Sequence, residues 1–328
     1  MSAARPRVSV VTANYNGAAH LAAAVRSILD QTLADFELII VDDCSTDDSL
    51  EEIARAADGD PRVRVLRQEI NGGPAAARNR ALSVARGRWI AVFDSDDLMA
   101  PDRLEQLVVR GEADECDIVA DNLTLFEDGR EAARRPFLAI REDAERRWIS
   151  LADYIASGPI YARRPNLGYL KPLFRASALG AVRYNERLRI GEDYDLVLRL
   201  LLNGARMRLT PRALYCYRKH ATSISSVLRR ENVEAMLAAD LGLNPQVAAH
   251  GPAVVRAQRV RIRSLERALD YDRLIARLKA REFAPALTLA LARPGVWPLL
   301  TMPIEARVKR LAGRMKAPRP RTRAPAIA

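Results

Sequence analysis

Acidic side chains gather where two short apolar runs end: Phe36 to Val41 stops at Asp42-Asp43, and Arg88 to Phe93 stops at Asp94-Ser95-Asp96-Asp97. One such Asp is ordinarily a turn former or a helix cap. Two clusters on one sheet edge are different, because like charges held together repel unless a cation or a ligand compensates them. Asp94-x-Asp96 offers carboxylate oxygens of the kind that Mg2+ or Mn2+ takes alongside ligand phosphates. A carboxylate at Asp42-Asp43 can accept an N–H of a ligand in a charge-assisted hydrogen bond. A third acidic group, Glu192-Asp193, precedes an amphipathic run with Leu196, Leu200 and Leu201 apolar. In a first helical turn such residues serve either as partners of the helix dipole or as a general base that takes the proton of an attacking hydroxyl. His220, one of three histidines, follows the apolar stretch Leu214 to Tyr217.

The elements that must carry these residues alternate in type. Val8 to Thr12 reads as a strand leading through Ala13-Asn14-Tyr15-Asn16-Gly17 into a helix with Leu21, Val25, Ile28 and Leu29 at helical spacing. Phe36 to Val41 is a second strand, Ser45-Thr46-Asp47-Asp48 a capped helix start, and Val63 to Leu66 a third strand. Asn71-Gly72-Gly73-Pro74 then turns the chain into a helix over Ala75 to Ala85, and Arg88 to Phe93 forms a fourth strand. The strands are uniformly apolar, as a parallel sheet covered on both faces requires. This pattern predicts an α/β fold in which ligands bind outside the carboxyl ends of the strands, where both Asp clusters fall. No G-x-G-x-x-G follows any strand, so a dinucleotide-dependent dehydrogenase loses its best support.

Ala13-Asn14-Tyr15-Asn16, Phe36 to Asp43, Gly73-Pro74-Ala75-Ala76-Ala77-Arg78-Asn79, Ala85-Arg86-Gly87-Arg88 and Phe93-Asp94-Ser95-Asp96-Asp97 follow one another along the chain. Gly191-Glu192-Asp193-Tyr194-Asp195 and Tyr217-Arg218-Lys219-His220 continue the series. In that order they resemble the family 2 glycosyltransferases of the GT-A fold, over about the first 225 residues. Ile118 to Asn122, Gly168 to Pro172 and Leu188 to Asp193 are similar to the branch that builds bacterial exopolysaccharides such as succinoglycan. The resemblance implies a nucleotide-diphospho-sugar transferase fold, a Rossmann-like mixed sheet flanked by helices. It also implies an inverting transfer from a nucleotide sugar, UDP-linked, to a hydroxyl of a lipid-linked glycan.

Residue by residue, the resemblance implies Asp96 as direct ligand of a Mg or Mn cation and Asp94 nearer the ribose and donor sugar, with Asp97 in support. His220 joins the diphosphate site as ligand or donor. Asp43 reads the base, and Ala13 and Tyr15 flank it. Arg78 either reaches the ribose or phosphates or faces solvent. The general base is assigned to Asp193, with Glu192 and Asp195 as supports. Phe126 to Arg164, anchored by Trp148 and Tyr154, occupies the place of acceptor-binding segments. Ala162 to Pro172, with Arg163, Arg164 and Lys171, either meets an acceptor pyrophosphate or forms a solvated loop. Thr222-Ser223-Ile224-Ser225 is either a phosphate-facing lid or an ordinary hydroxyl-rich loop. Spacing alone leaves a hydrolase open, since that needs an acid and base pair around a water.

The chain has 328 residues, 49% hydrophobic and 28% charged, which is globular composition without a repeat. Its formal charge is +11, yet Gly251 to the end holds 18 Lys/Arg against 5 Asp/Glu, so the basicity belongs to the tail. Cys44, Cys116 and Cys216 are odd in number and lack C-x-x-C spacing, which argues against a disulfide framework and for a cytoplasmic protein. The apolar run Val8 to Val11 is too brief for a signal peptide, and Phe283 to Met302 is broken by Arg293, Pro285, Pro294 and Pro298, so neither export nor a transmembrane span is expected.

These features divide the chain into a catalytic domain over 1–230, a basic helical appendage over 231–312 and a disordered tail over 313–328. Val254 to Leu278 reads as a basic helix. The appendage either holds the protein at the inner face of the membrane through Arg307, Lys309, Arg310, Arg314 and Lys316, with Val296, Trp297, Leu299 and Leu300 entering the interface, or is a helical cap with a solubilising tail. Two other readings compete. A sugar-phosphate nucleotidyltransferase needs a glycine-rich loop with a basic residue where Ala13-Asn14-Tyr15-Asn16 stands. A non-catalytic lipid or nucleic-acid binding module leaves the acidic strand ends without a purpose, and no nucleic acid is expected as a partner.

Overall fold

The computed structural model describes residues 5–129, 134–141, 147–162, 164–220 and 228–301. The chain begins β1 (Val8–Asn14), α1 (Ala18–Leu29), β2 (Phe36–Asp42), α2 (Ser49–Ala57), β3 (Val63–Arg67), α3 (Pro74–Leu82) and β4 (Trp89–Asp94). It continues β5 (Leu98–Met99), α4 (Arg103–Ala113), β6 (Ile118–Phe126), β7 (Arg135–Pro136), β8 (Arg147–Ile149), α5 (Leu151–Ser157), β9 (Leu173–Arg175) and α6 (Ala176–Leu179). Then follow α7 (Glu192–Leu202), β10 (Met207–Arg218), α8 (Arg230–Gly242), α9 (Asn244–Ala248), α10 (Pro252–Lys279) and α11 (Phe283–Ala292).

The strands form one sheet in the order β3-β2-β1-β4-β9-β6-β10-β5, with β7 beside β6 and β8 beside β10. β1, β2, β3 and β4 pair in parallel, whereas β9 runs antiparallel to β4 and β6. The sheet is therefore mixed, with helices packed against it, as the resemblance implies. Continuous β-branched and aliphatic runs suit β1, β2 and β4, whose residues are buried almost throughout. β3 departs from that pattern. It lies at the sheet edge with Arg64, Val65 and Arg67 exposed, and charges there discourage further strand pairing.

Register brings the strand ends together: Asn14 lies opposite Asp42, and Ala13 opposite Asp94. The two acidic clusters thus flank the end of β1.

The chain divides into two compact units, Met1–Leu265 and Glu266–Ala328. The first unit runs past the boundary at 230 drawn from sequence. Its physical reason is a buried ionic contact: Asp240 of α8 accepts from Gln258 and Arg261 of α10, and the Arg261 guanidinium lies 3.7 Å from the centre of the Tyr194 ring on α7. Helices that bury a charge together cannot be separated cheaply.

In the second unit Leu274, Ala286 and Val296 form a small core. Val296, within that core, and Leu299 are only 1% and 6% exposed, which removes them as interface-entering residues, whereas Trp297 is exposed. Among the described residues no single helix is long and apolar enough to cross a membrane. Arg163, Thr222 to Ser225, the basic cluster from Arg307 to Lys316 and the tail 313–328 lie outside the described residues.

Candidate active site

At the end of β2 the Asp43 carboxylate is buried and closes the loop that enters α3. Oδ1 accepts from the Gly72 amide at 2.7 Å and the Gln68 side chain at 2.5 Å, and Oδ2 accepts from the Gly73 amide at 2.7 Å. Gly73 takes φ +87°, a left-handed conformation that glycine adopts without strain and that lets both amides face one carboxylate. A carboxylate offers about four lone-pair directions, so one remains on Oδ2 for a ligand donor. Asn14 stitches the ends of β1 and β2 by donating to Asp42 and to Ser45. Beside this edge Ala13 is half-buried and the Tyr15 ring is 50% exposed.

The next strand end carries the densest charge. Arg78 on the alanine-rich α3 points inward rather than to solvent, with Nη2 donating to Asp94 at 2.6 Å and Nη1 to Glu192 at 2.7 Å. Its Nη1 also lies 3.6 Å from Asp193. Lys171, just before β9, bridges the same acids, at 2.6 Å from Asp193 and 2.7 Å from Asp94. Lys171 is thereby committed to these carboxylates rather than to an acceptor pyrophosphate. Three carboxylates face two cations.

The electrostatic consequences are uneven. Burial pushes the Asp94 carboxyl up, but Lys171 and Arg78 outweigh it and hold it at about 2. Burial also pushes Glu192 up, and Asp193 beside it adds to the rise. For Lys171 and Arg78 burial favours the neutral form, yet Asp193 and Asp94 drive both well above their usual values. The cations stay charged and are shared among Asp94, Glu192 and Asp193.

Asp96 faces a different partner. Its carboxylate meets His220 Nε2 at 2.7 Å, and the His20 ring lies 5.1 Å from that of His220. Asp97 is buried and structural, accepting from the Tyr215 hydroxyl at 2.7 Å and from the Arg218 amide at 2.7 Å. Burial first, then Asp96 and Asp94, raise its carboxyl well above the usual range. One oxygen from each of Asp94, Asp96 and Asp97 falls within 4.8 Å of the others. Both oxygens of Asp94 and both of Asp97 already hold protein donors, whereas Asp96 is about a third exposed. A partly exposed carboxylate with an imidazole beside it fits a divalent cation whose remaining positions are filled by phosphate oxygens.

The structure thus gathers Asp94, Arg78 and Asp193 into one cluster, sets Asp96 against His220, and leaves Asp43 within its own loop. Lys171 and Glu192 contribute more than their sequence context suggested. A buried pair supports them from behind: Arg103 on α4 donates to Asp121 on β6 at 2.8 Å, with both side chains fully buried. Arg103 also donates to the Lys171 carbonyl, and its guanidinium lies 4.9 Å from the Tyr215 ring centre. The signal for this pair was Asp121 itself, an acid inside the apolar run Ile118-Val119-Ala120, since a buried charge requires a partner.

The family model described as Glycosyl transferase family 2 matches residues 9–167. The succinoglycan biosynthesis protein ExoO of Rhizobium meliloti (strain 1021) is 40% identical over 316 residues, covering 95% of this chain and 89% of that protein. ExoU of the same organism is 36% identical over 313 residues, covering 92% and 87%. Two solved structures share the fold. S. aureus TarS 1-349 in complex with UDP-GlcNAc has a TM-score of 0.61 at 19% identity, covering 88% of this chain and 91% of that one. The mannosyltransferase PcManGT from Pyrobaculum calidifontis, in complex with GDP-Man and Mn2+, has a TM-score of 0.55 at 19% identity, covering 94% and 88%. With the GT-A fold, the acidic strand ends and relatives that align along nearly the whole chain, this protein is a glycosyltransferase and belongs to glycosyl transferase family 2.

Proposed function

We propose that the protein transfers a sugar from a UDP-linked donor to a hydroxyl of a lipid-linked exopolysaccharide intermediate, with inversion at the anomeric carbon. The observation that carries this reading is the meeting of Asp94 and Asp193 across Lys171 and Arg78, beside the Asp96–His220 pair. In this reading one carboxylate serves the acceptor and the Asp96–His220 pair serves the diphosphate. Asp193 Oδ2 is held by Lys171, so Oδ1 is the oxygen left to take the acceptor proton as the hydroxyl attacks the anomeric carbon. The bond to the diphosphate breaks in the same displacement, and the nucleoside diphosphate leaves with the electron pair. Asp96 and His220 are the residues that would hold Mg2+ or Mn2+, which neutralises charge on the leaving diphosphate.

The two solved neighbours hold uridine and guanosine nucleotide sugars, so the fold accepts either base. The choice of uracil rests on the lone pair left on Asp43 Oδ2, opposite an imide N–H, with Tyr15 available to stack. The exopolysaccharide acceptor rests on the likeness to ExoO and ExoU.

Calorimetry tests the donor half of this reading. UDP should bind more tightly with Mn2+ or Mg2+, Asp96→Ala should abolish the gain, and His220→Ala should weaken it less. Metal-dependent UDP affinity that survives intact in Asp96→Ala would sink the assignment of the cation site. Binding of GDP in place of UDP would move the base preference away from Asp43.

A further inference from the structure

α11 is apolar on every side. Phe283 to Ala292 contains one polar residue, Thr288, and no charge. One face packs inward, with Ala286 buried and Leu289 and Ala290 partly buried beside Leu274 and Val296. The other face is open: Phe283, Leu287 and Leu291, four residues apart and so on one side of the helix, are 65%, 61% and 63% exposed. Trp297, in the 3-10 turn that follows, is 54% exposed and donates its indole N–H to the Ala290 carbonyl, which fixes it beside that face. A helix apolar all round calls for cover on all sides.

Charge around the stripe selects its occupant. From Arg277 to Thr301 the basic residues Arg277, Lys279, Arg281 and Arg293 are all exposed and Glu282 is the one acid. The sequence beyond Thr301 adds eight basic residues and one acid. A second copy would bring the same positive rim against itself. An anionic lipid surface supplies both the apolar bed and the opposite charge, and Trp and Phe favour the headgroup boundary. At 1.5 Å per residue the ten-residue helix is roughly 15 Å long, half the ~30 Å hydrocarbon core, so it lies in the interface and does not span.

The geometry points to the Phe283–Leu287–Leu291–Trp297 face of the second unit as a docking surface for anionic bilayers. It needs nothing from the donor chemistry proposed above, and its test reads no enzymatic activity. The occupant is a lipid surface; a protein partner or a second copy is an outcome that overturns it.

The test sediments the full chain with vesicles of phosphatidylcholine alone or mixed with phosphatidylglycerol, at low and high salt. Binding should require the anionic lipid and fall with salt. Leu287→Glu with Leu291→Glu should weaken partitioning by at least about tenfold, with circular dichroism showing the helices kept. If that variant fails to fold, the native chain still decides: brominated lipid should quench indole fluorescence, and Trp297→Phe should remove most of the quenching. Unchanged binding in the Glu variant, equal binding to neutral lipid, absence of Trp297 quenching, or a dimer that the Glu variant dissolves each overturns the proposal.

Discussion

Two ionic clusters sit within the same sheet and differ in one respect. Arg103 and Asp121 balance each other and are fully buried; Arg103 also donates to the Lys171 carbonyl, Asp121 also accepts from the Leu214 amide, and Arg103 Nη1 stays buried without a partner among the described residues. Asp94, Glu192 and Asp193 outnumber Arg78 and Lys171, and their side chains keep 21%, 11% and 15% of their exposure. A closed, balanced pair is out of a ligand's reach, because both side chains are fully buried. An open cluster with surplus acids is held in place by its cations and stays within reach of a ligand, so the proposed chemistry falls to the second cluster and support of the sheet to the first.

The comparison breaks most visibly at Asp193. Asp193→Asn keeps shape and most contacts but cannot accept a proton, so transfer should fall by about 10² to 10⁴ while UDP affinity and folding stability stay near those of the native protein. Turnover measured with a working acceptor decides it, and near-normal rates would move the base to Glu192. The opposite signature is expected at Arg103. Arg103→Met strands a buried carboxylate and should cost about 3–5 kcal/mol of stability, read as a lowered urea midpoint. Adding Asp121→Leu should recover part of that loss, because both charges then leave together.

Lys171→Met sharpens the contrast between scaffold and working cluster. Asp94 and Asp193 lose the cation they share, and stability should drop by about 1–3 kcal/mol, less than at Arg103 because partial exposure lets water take over. The sign with pH follows from Asp94. Its carboxyl is held at about 2, below the usual 3.8, so its stabilising contribution is complete above the usual value and disappears as pH falls toward 2. Acid unfolding of Lys171→Met, followed by circular dichroism, should begin at higher pH than in the native chain. The smallest effect belongs to Arg230 and Glu234, an exposed pair at 2.8 Å on α8, where Glu234→Ala should change stability by no more than about 0.5 kcal/mol.

What the sequence disclosed was the part written in local runs. β1, β2 and β4 are continuous apolar stretches ending in acids, and the chemistry of those acids could be named before their neighbours were known. Arg78 was ambiguous because α3 is rich in alanine on every side, so periodicity does not say which way the arginine points. Lys171 and Glu192 gain their roles from contacts between distant segments, and no local pattern encodes those. The same limit applies to the second unit. An all-apolar stretch hides which of its faces is packed, so Val296 and Leu299 looked as available as Trp297 until Val296 was found packed with Leu274 and Ala286 and Leu299 was found buried.

The order of strands in the sheet also bears on how the molecule comes into being. β1, β2 and β4 are near neighbours along the chain, but Arg78 meets Glu192 across 114 residues and Asp96 meets His220 across 124. Contacts so far apart pay their loop-closure entropy late. As synthesis proceeds, Asp43, Arg78, Asp94 and Asp96 emerge first, while Lys171, Asp193 and His220 arrive only with β9, α7 and β10. A partly made chain therefore carries the acids without the lysine and histidine that meet them in the finished site. Catalytic competence therefore waits on long-range closure, so an enzyme that works is an enzyme whose distant segments have met.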